Sequence, residues 1–204
     1  LKIGGPAFTA PKHGPLQLAF LRAVKERNMP FDFYSFHRYY KKPEEVAKAV
    51  EVAKASLDMF GIEKPELILN EWNYIRGWLR EDWNYSLRME RGLKGASFIA
   101  GSMCIGQACD LDMLMYYDAR PCGMSGLFDS ETLEPRKGYY VFYQFKDLRR
   151  LGTAVKIDAQ NENIYSCAAG DGKNGAIMVT HYQDLDEADA EDVCLKIEGM
   201  NAEN

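Results

Sequence analysis

Four short apolar runs, spaced along the chain and separated by amphipathic stretches, constrain the fold more than any other feature. The runs are Leu1–Gly5, Phe31–His37 (FDFYSFH), Glu66–Trp72 (ELILNEW) and Asp112–Tyr117 (DMLMYY). Near-continuous apolar runs of this length predict strands buried on both faces, as in a parallel sheet. The intervals read as helices. Pro15–Arg27 carries Leu16, Phe20, Leu21 and Val24 at helical spacing, and Pro43–Phe60 repeats Val46, Val50, Ala53 and Leu57. The latter opens on Pro-Glu-Glu and closes at Gly61, as helix-end chemistry requires. Tyr85–Cys109 reads as one long helix whose Ala, Gly and Ser residues allow close packing. Arg136–Leu151 carries an aromatic face of Tyr139, Tyr140, Phe142, Tyr143 and Phe145.

Repeated strand and helix predicts parallel pairing with right-handed crossovers. The strand-end markers Gly4, His37, Glu71 and Tyr117 lie roughly 33, 34 and 46 residues apart, and one βα unit takes roughly thirty residues. A complete (β/α)8 barrel needs about 250 residues. The four units here end near Gly152, so the expected fold class is α/β, half of a (β/α)8 barrel over 1–152. Residues 153–204 change character. Val155–Ala159, Ile164–Ala169, Ala176–Tyr182 and Val193–Ile197 are short runs broken by turn signals such as Asp171–Gly175, which predicts part of an antiparallel β-sandwich. The acidic stretch Asp184–Asp192 reads as a solvated loop.

Charge removes one class of partner. A formal net charge of −5 offers no basic surface for a phosphate backbone, so nucleic acid is not expected. No apolar run is long enough to span a membrane, and no signal peptide is legible ahead of a first run that already reads as a strand. The five cysteines, Cys104, Cys109, Cys122, Cys167 and Cys194, include no CxxC pair and read as free thiols. Twelve Tyr, ten Phe and three Trp suit a large core, and they also suit a site where flat rings meet sugar faces.

In a βα barrel, chemistry gathers where the strands end. Those residues are Gly4-Gly5-Pro6-Ala7, Phe36-His37-Arg38-Tyr39, Asn70-Glu71-Trp72-Asn73 and Tyr116-Tyr117-Asp118-Ala119-Arg120. Glu71, at the end of an apolar strand, has two readings. It is a carboxylate held ionised in a partly dry cup, as a retaining glycosidase nucleophile must be, or it pairs structurally with Arg38 or Arg120. His37 is a core histidine bonded to backbone, or a donor to a sugar hydroxyl or to Glu71. With no second His or Cys beside it in sequence, neither metal nor cofactor is expected. Trp72, Trp78 and Trp83 cluster around an Arg-containing loop and suggest at least one sugar platform.

Gly-Gly-Pro-Ala, Asp-Phe-Tyr-Ser-Phe-His-Arg-Tyr and Asn-Glu-Trp-Asn, each closing a strand in this order, resemble the second half of a clan A glycoside hydrolase barrel. The similarity is greatest to the β-xylosidase/α-L-iduronidase family, glycoside hydrolase family 39. The resemblance covers roughly residues 1–150. It implies that the four strands are strands five to eight, that Glu71 is the nucleophile, and that His37 lines the sugar subsite. It also implies that Gly5 and Pro6 lie beside the catalytic carboxylates, with Trp72 and Asn70 flanking the nucleophile. Asn70 stands where Thr or Ser is more usual. The last strand end matches least, and Tyr117, Asp118 and Arg120 are carried as substrate contacts.

The family's acid/base, a Glu in an Asn-Glu-Pro motif closing strand four, has no counterpart among these 204 residues. The expected function is therefore a fragment of a retaining glycoside hydrolase that carries the nucleophile but not the acid. A non-catalytic carbohydrate-binding protein and a structural α/β protein are the alternatives. Carbohydrate is the expected ligand. Open half-barrel edges predict pairing of two chains into a homodimer.

Overall fold

A parallel sheet and the helices on its outer face form the larger part of the molecule. The computed structural model describes residues 1–124, 126–158 and 161–198. Strands β1 (Gly4–Phe8), β2 (Phe33–Tyr40), β3 (Glu66–Tyr74) and β4 (Met113–Tyr116) pair in that order, every pair parallel. The crossovers are α1 (Pro15–Glu26), α2 (Glu45–Asp58), and α3 (Arg80–Glu90) with α4 (Leu93–Ala108); α5 (Lys137–Leu151) follows β4. Four βα units thus curve as half of a (β/α)8 barrel, as the strand periodicity predicts.

The helices begin and bury themselves for local reasons. Pro15 opens α1, where its missing N–H is no loss. The Gln17 side chain accepts the Gly14 N–H at 3.3 Å and so closes the first turn. Leu21 and Val24 then face the sheet. In α2 the same inward stripe is Val46, Ala49, Val50, Ala53 and Leu57. The outward face of the sheet supplies Tyr34, Phe36, Leu69, Trp72 and Tyr74, all fully buried. Each such side chain contributes about 1.5–3 kcal/mol relative to exposure.

The expected single helix Tyr85–Cys109 is two helices. α3 ends at Glu90, and Gly92 takes an extended backbone before α4 starts. A Cβ on Gly95 would lie only 2.5 Å from the Glu90 carbonyl oxygen, so the second helix presses directly on the end of the first. That approach turns the chain and leaves α4 buried along most of its length, between the sheet and the C-terminal strands.

Strands β5 (Thr153–Val155), β6 (Ile164–Gly170) and β7 (Gly175–His181) form one antiparallel sheet in that order. The β6–β7 hairpin turns where Asp171 Oδ1 accepts the Lys173 and Asn174 N–H groups at 2.9 and 2.7 Å. Tyr182 donates its hydroxyl to the Lys41 carbonyl at 2.5 Å, and Cys104 and Cys167 bring their sulfurs within 3.4 Å, joining this sheet to the loop after β2 and to α4.

Several boundaries move. Leu1–Ile3 is exposed and precedes β1 rather than forming it. The expected Val155–Ala159 strand is Thr153–Val155, with Ala159 outside the described residues. Val193–Ile197 forms no strand; Val193, Leu195 and Ile197 are exposed. The acidic stretch is not wholly a solvated loop. Asp184 accepts the Tyr74 hydroxyl at 2.7 Å and pairs with Lys94 at 2.9 Å, both ends largely buried. Among the described residues, no helix is long and apolar enough to cross a membrane.

Candidate active site

A bulge in β3 decides which residues face the cup. Along β2 and β3 the pairing runs Phe36 with Leu69, then skips to His37 with Glu71 and Tyr39 with Asn73. Asn70 is the extra residue. Simple alternation from the buried Leu67 and Leu69 would send Glu71 toward the helices and Trp72 into the cup. The inserted residue reverses that, as a one-residue slip does. Glu71 and Asn73 therefore share the concave face with His37 and Tyr39, while Trp72 and Tyr74 turn into the core.

Glu71 is half-buried, and the Tyr39 hydroxyl donates a hydrogen bond to its Oε1. Burial, together with that bond, pushes the Tyr39 hydroxyl well above the ordinary tyrosine range, so it remains a donor. Neither arginine of the structural reading reaches Glu71. Arg38 pairs with Glu45 at 3.7 Å, and Arg120 pairs with Asp118 at 2.7 Å. Among the described residues Glu71 makes no ion pair. One carboxylate oxygen is thus held by a phenol, and no ion pair among the described residues engages the other.

Around this centre, Asn73 donates its side-chain amide to the Tyr117 carbonyl at 2.8 Å, tying the ends of β3 and β4 together. Asn70 is partly buried, and its Oδ1 has no partner among the described residues. Gly5 and Pro6 lie in β1 opposite Tyr34 and Ser35, joined by a cis peptide bond, and the Ser35 hydroxyl accepts the Ala7 N–H at 3.0 Å. The Tyr117–Asp118 peptide is also cis.

Three of the expected contacts have partners within the fold. Trp72 is 0% exposed, packed against Phe98 and Tyr116; the bulge makes it a core residue and not a sugar contact. Asp118 is buried and satisfied by Arg120, which reaches it through Nε at 3.0 Å as well as through its terminal nitrogen. Arg120 is thereby engaged in its own loop. Sequence reasoning missed Tyr39 as the partner of Glu71. The signal was present, because Tyr39 lies two residues beyond His37 and so on the same strand face.

The described residues contain no group of three His, Cys, Asp or Glu side chains able to share a metal ion. Two clefts on the surface lie away from Glu71, one of them at the opposite ends of β3 and β4 beside Glu66, Asp110 and Asp112. The Glu71 end opens instead onto the uncovered concave face.

This architecture, parallel half-barrel plus antiparallel sheet, is a clan A glycoside hydrolase-like fold, shared with part of two solved glycosidase structures. One of them is a glucosidase from Croceicoccus marinus, with TM-score 0.69 and 21% identity over 89% of this chain. Another is a family 51 α-L-arabinofuranosidase from Bifidobacterium longum, with TM-score 0.62 and 12% identity over 89% of this chain. The chain spans 40% of the first protein's length and 46% of the second's. No protein-family model matches it, and no curated protein matches it in sequence.

Proposed function

We propose that this chain is the nucleophile-bearing part of a retaining glycoside hydrolase, xylosidase- or iduronidase-like, acting on O-glycosidic bonds. The observation that carries the reading is Glu71: half-buried, without an ion pair among the described residues, held by Tyr39 and registered against His37 at the C-terminal end of a parallel strand. In this reading the free Glu71 oxygen attacks the anomeric carbon as the bond to the leaving oxygen breaks. Water then displaces the carboxylate from the glycosyl-enzyme, releasing the sugar with retained configuration. His37 donates to a sugar hydroxyl beside the attacked carbon.

Protonation of the leaving oxygen needs a second carboxyl group about 5–5.5 Å away in retaining enzymes, and the sequence supplies no Asn-Glu-Pro motif for it. Loss of general acid catalysis alone lowers the rate by a factor of ~10²–10⁴. Leaving groups that depart without a proton escape this penalty. The test is therefore a fluorinated dinitrophenyl glycoside, whose leaving group needs no acid. Mass spectrometry is expected to find one covalent sugar on Glu71, absent from Glu71→Gln, while mononitrophenyl glycosides turn over slowly or not at all. A label elsewhere, or none, would defeat the reading. Sugar binding without labelling would leave a non-catalytic carbohydrate-binding protein.

A further inference from the structure

The mouth of the cup carries an aromatic surface that the chemistry at Glu71 does not use. Trp78, in the loop after β3, is 65% exposed. Its ring stacks on Trp83 with centroids 5.5 Å apart and planes 25° from parallel. It also meets Tyr39 edge-on at 5.4 Å, and Tyr39 is the residue whose hydroxyl holds Glu71. Packed rings thus run without a break from the nucleophile to the exposed indole.

The loop that presents Trp78 is braced. Arg76 bonds Asp82 through Nε at 2.8 Å, takes the Ser86 hydroxyl on its backbone N–H at 2.9 Å, and lies 3.6 Å over the Tyr85 ring. A Cβ on Gly77 would fall 2.6 Å from the Asp82 carboxylate, so the loop packs closely on that side chain. An exposed indole that is stacked and fixed loses little entropy when something covers it. Its flat apolar face, beside a polar cup, suits the C–H face of a pyranose whose hydroxyls stay at the wet rim.

We propose that the Trp78–Trp83 pair is a second sugar subsite, stacking the ring next to the one whose anomeric carbon faces Glu71. Tyr39 stands between carboxylate and indole, which sets the platform one ring away from the bond attacked. The substrate class is then an oligosaccharide and not a single sugar on a small aglycone. This assignment rests on the glycosidase reading of Glu71, and its test is kept separate from the labelling experiment.

The chain is titrated with xylotetraose and cellotetraose, and with xylose and glucose as single-ring probes, following tryptophan emission and heat. One tetraose is expected to change the emission saturably and to bind at least tenfold more tightly than the matching monosaccharide. Trp78→Ala loses that tenfold, and Trp78→Tyr keeps most of it by keeping a ring. Unchanged circular dichroism confirms that the variants are folded. Tetraose binding that survives Trp78→Ala, or that is no tighter than monosaccharide binding, would overturn the proposal. So would an emission change caused only by self-association of the chain, read by sedimentation. Covalent labelling of Glu71 without tetraose binding overturns the platform alone; platform binding without labelling supports it and defeats the nucleophile.

Discussion

At the scale of single residues, Glu90 carries the sharpest consequence. It closes α3, is 1% exposed, and neither carboxylate oxygen has a hydrogen-bond partner among the described residues. Burial raises its pKa from 4.5 to about 9, opposed only weakly by the charge of Arg91. The folded protein therefore holds the Glu90 proton across a range where the unfolded chain has lost it. Stability is fully present below pH 4.5 and is lost as pH rises toward about 9. The neutral amide of Glu90→Gln cannot ionise. Urea unfolding of this variant is expected to show a flattened pH slope over that window and a gain at pH 8 on the order of a few kcal/mol. An unchanged slope would mean that the carboxyl is solvated in the folded state.

At the scale of elements, the β3 bulge is the device on which the candidate site depends. Asn70 is an ordinary polar residue in sequence, yet its uptake as an unpaired bulge residue, and not as a paired one, puts Glu71 in the cup and Trp72 in the core. Removing Asn70 joins Leu69 directly to Glu71, so plain alternation then keeps Glu71 in the cup and Trp72 packed on Phe98 and Tyr116 without a bulge. The deletion should therefore fold and keep Glu71 labelling, as should Asn70→Ser, which keeps the residue count. Loss of labelling with a sharply lower urea midpoint in the deletion would show that the bulge geometry itself, and not the alternation, orients Glu71.

At the scale of the whole molecule, the concave face is open. β1 and β4 each pair on one side only. On the inner face of β4, Met113 and Met115 are 48% and 47% exposed. Unpaired edges beside apolar surface favour association. The isolated 204-residue chain is expected to sediment as a dimer at high concentration, with Met115→Lys shifting it toward monomer. A monomer at every concentration would show that loops suffice to shield the edges.

The strand and helix order was legible because near-continuous apolar runs and helical spacing report local burial directly. So was the cluster of His37 and Glu71 at neighbouring strand ends, since parallel strands of one sheet end on one side. The division of Tyr85–Cys109 into two helices was less so; Gly92 and Gly95 were visible, but not the backbone against which they press. Asp184 read as a solvated loop residue because nothing nearby in sequence foretells Tyr74 and Lys94 meeting it.

Sequence by itself determined that this is a βα half-barrel with a carboxylate at a strand end, because those properties follow from local pattern. Only the tertiary structure decided which way that carboxylate points and what holds it. A single inserted residue reverses every side chain beyond it, and whether a strand absorbs that residue as a bulge is settled by pairing with its neighbour across the sheet.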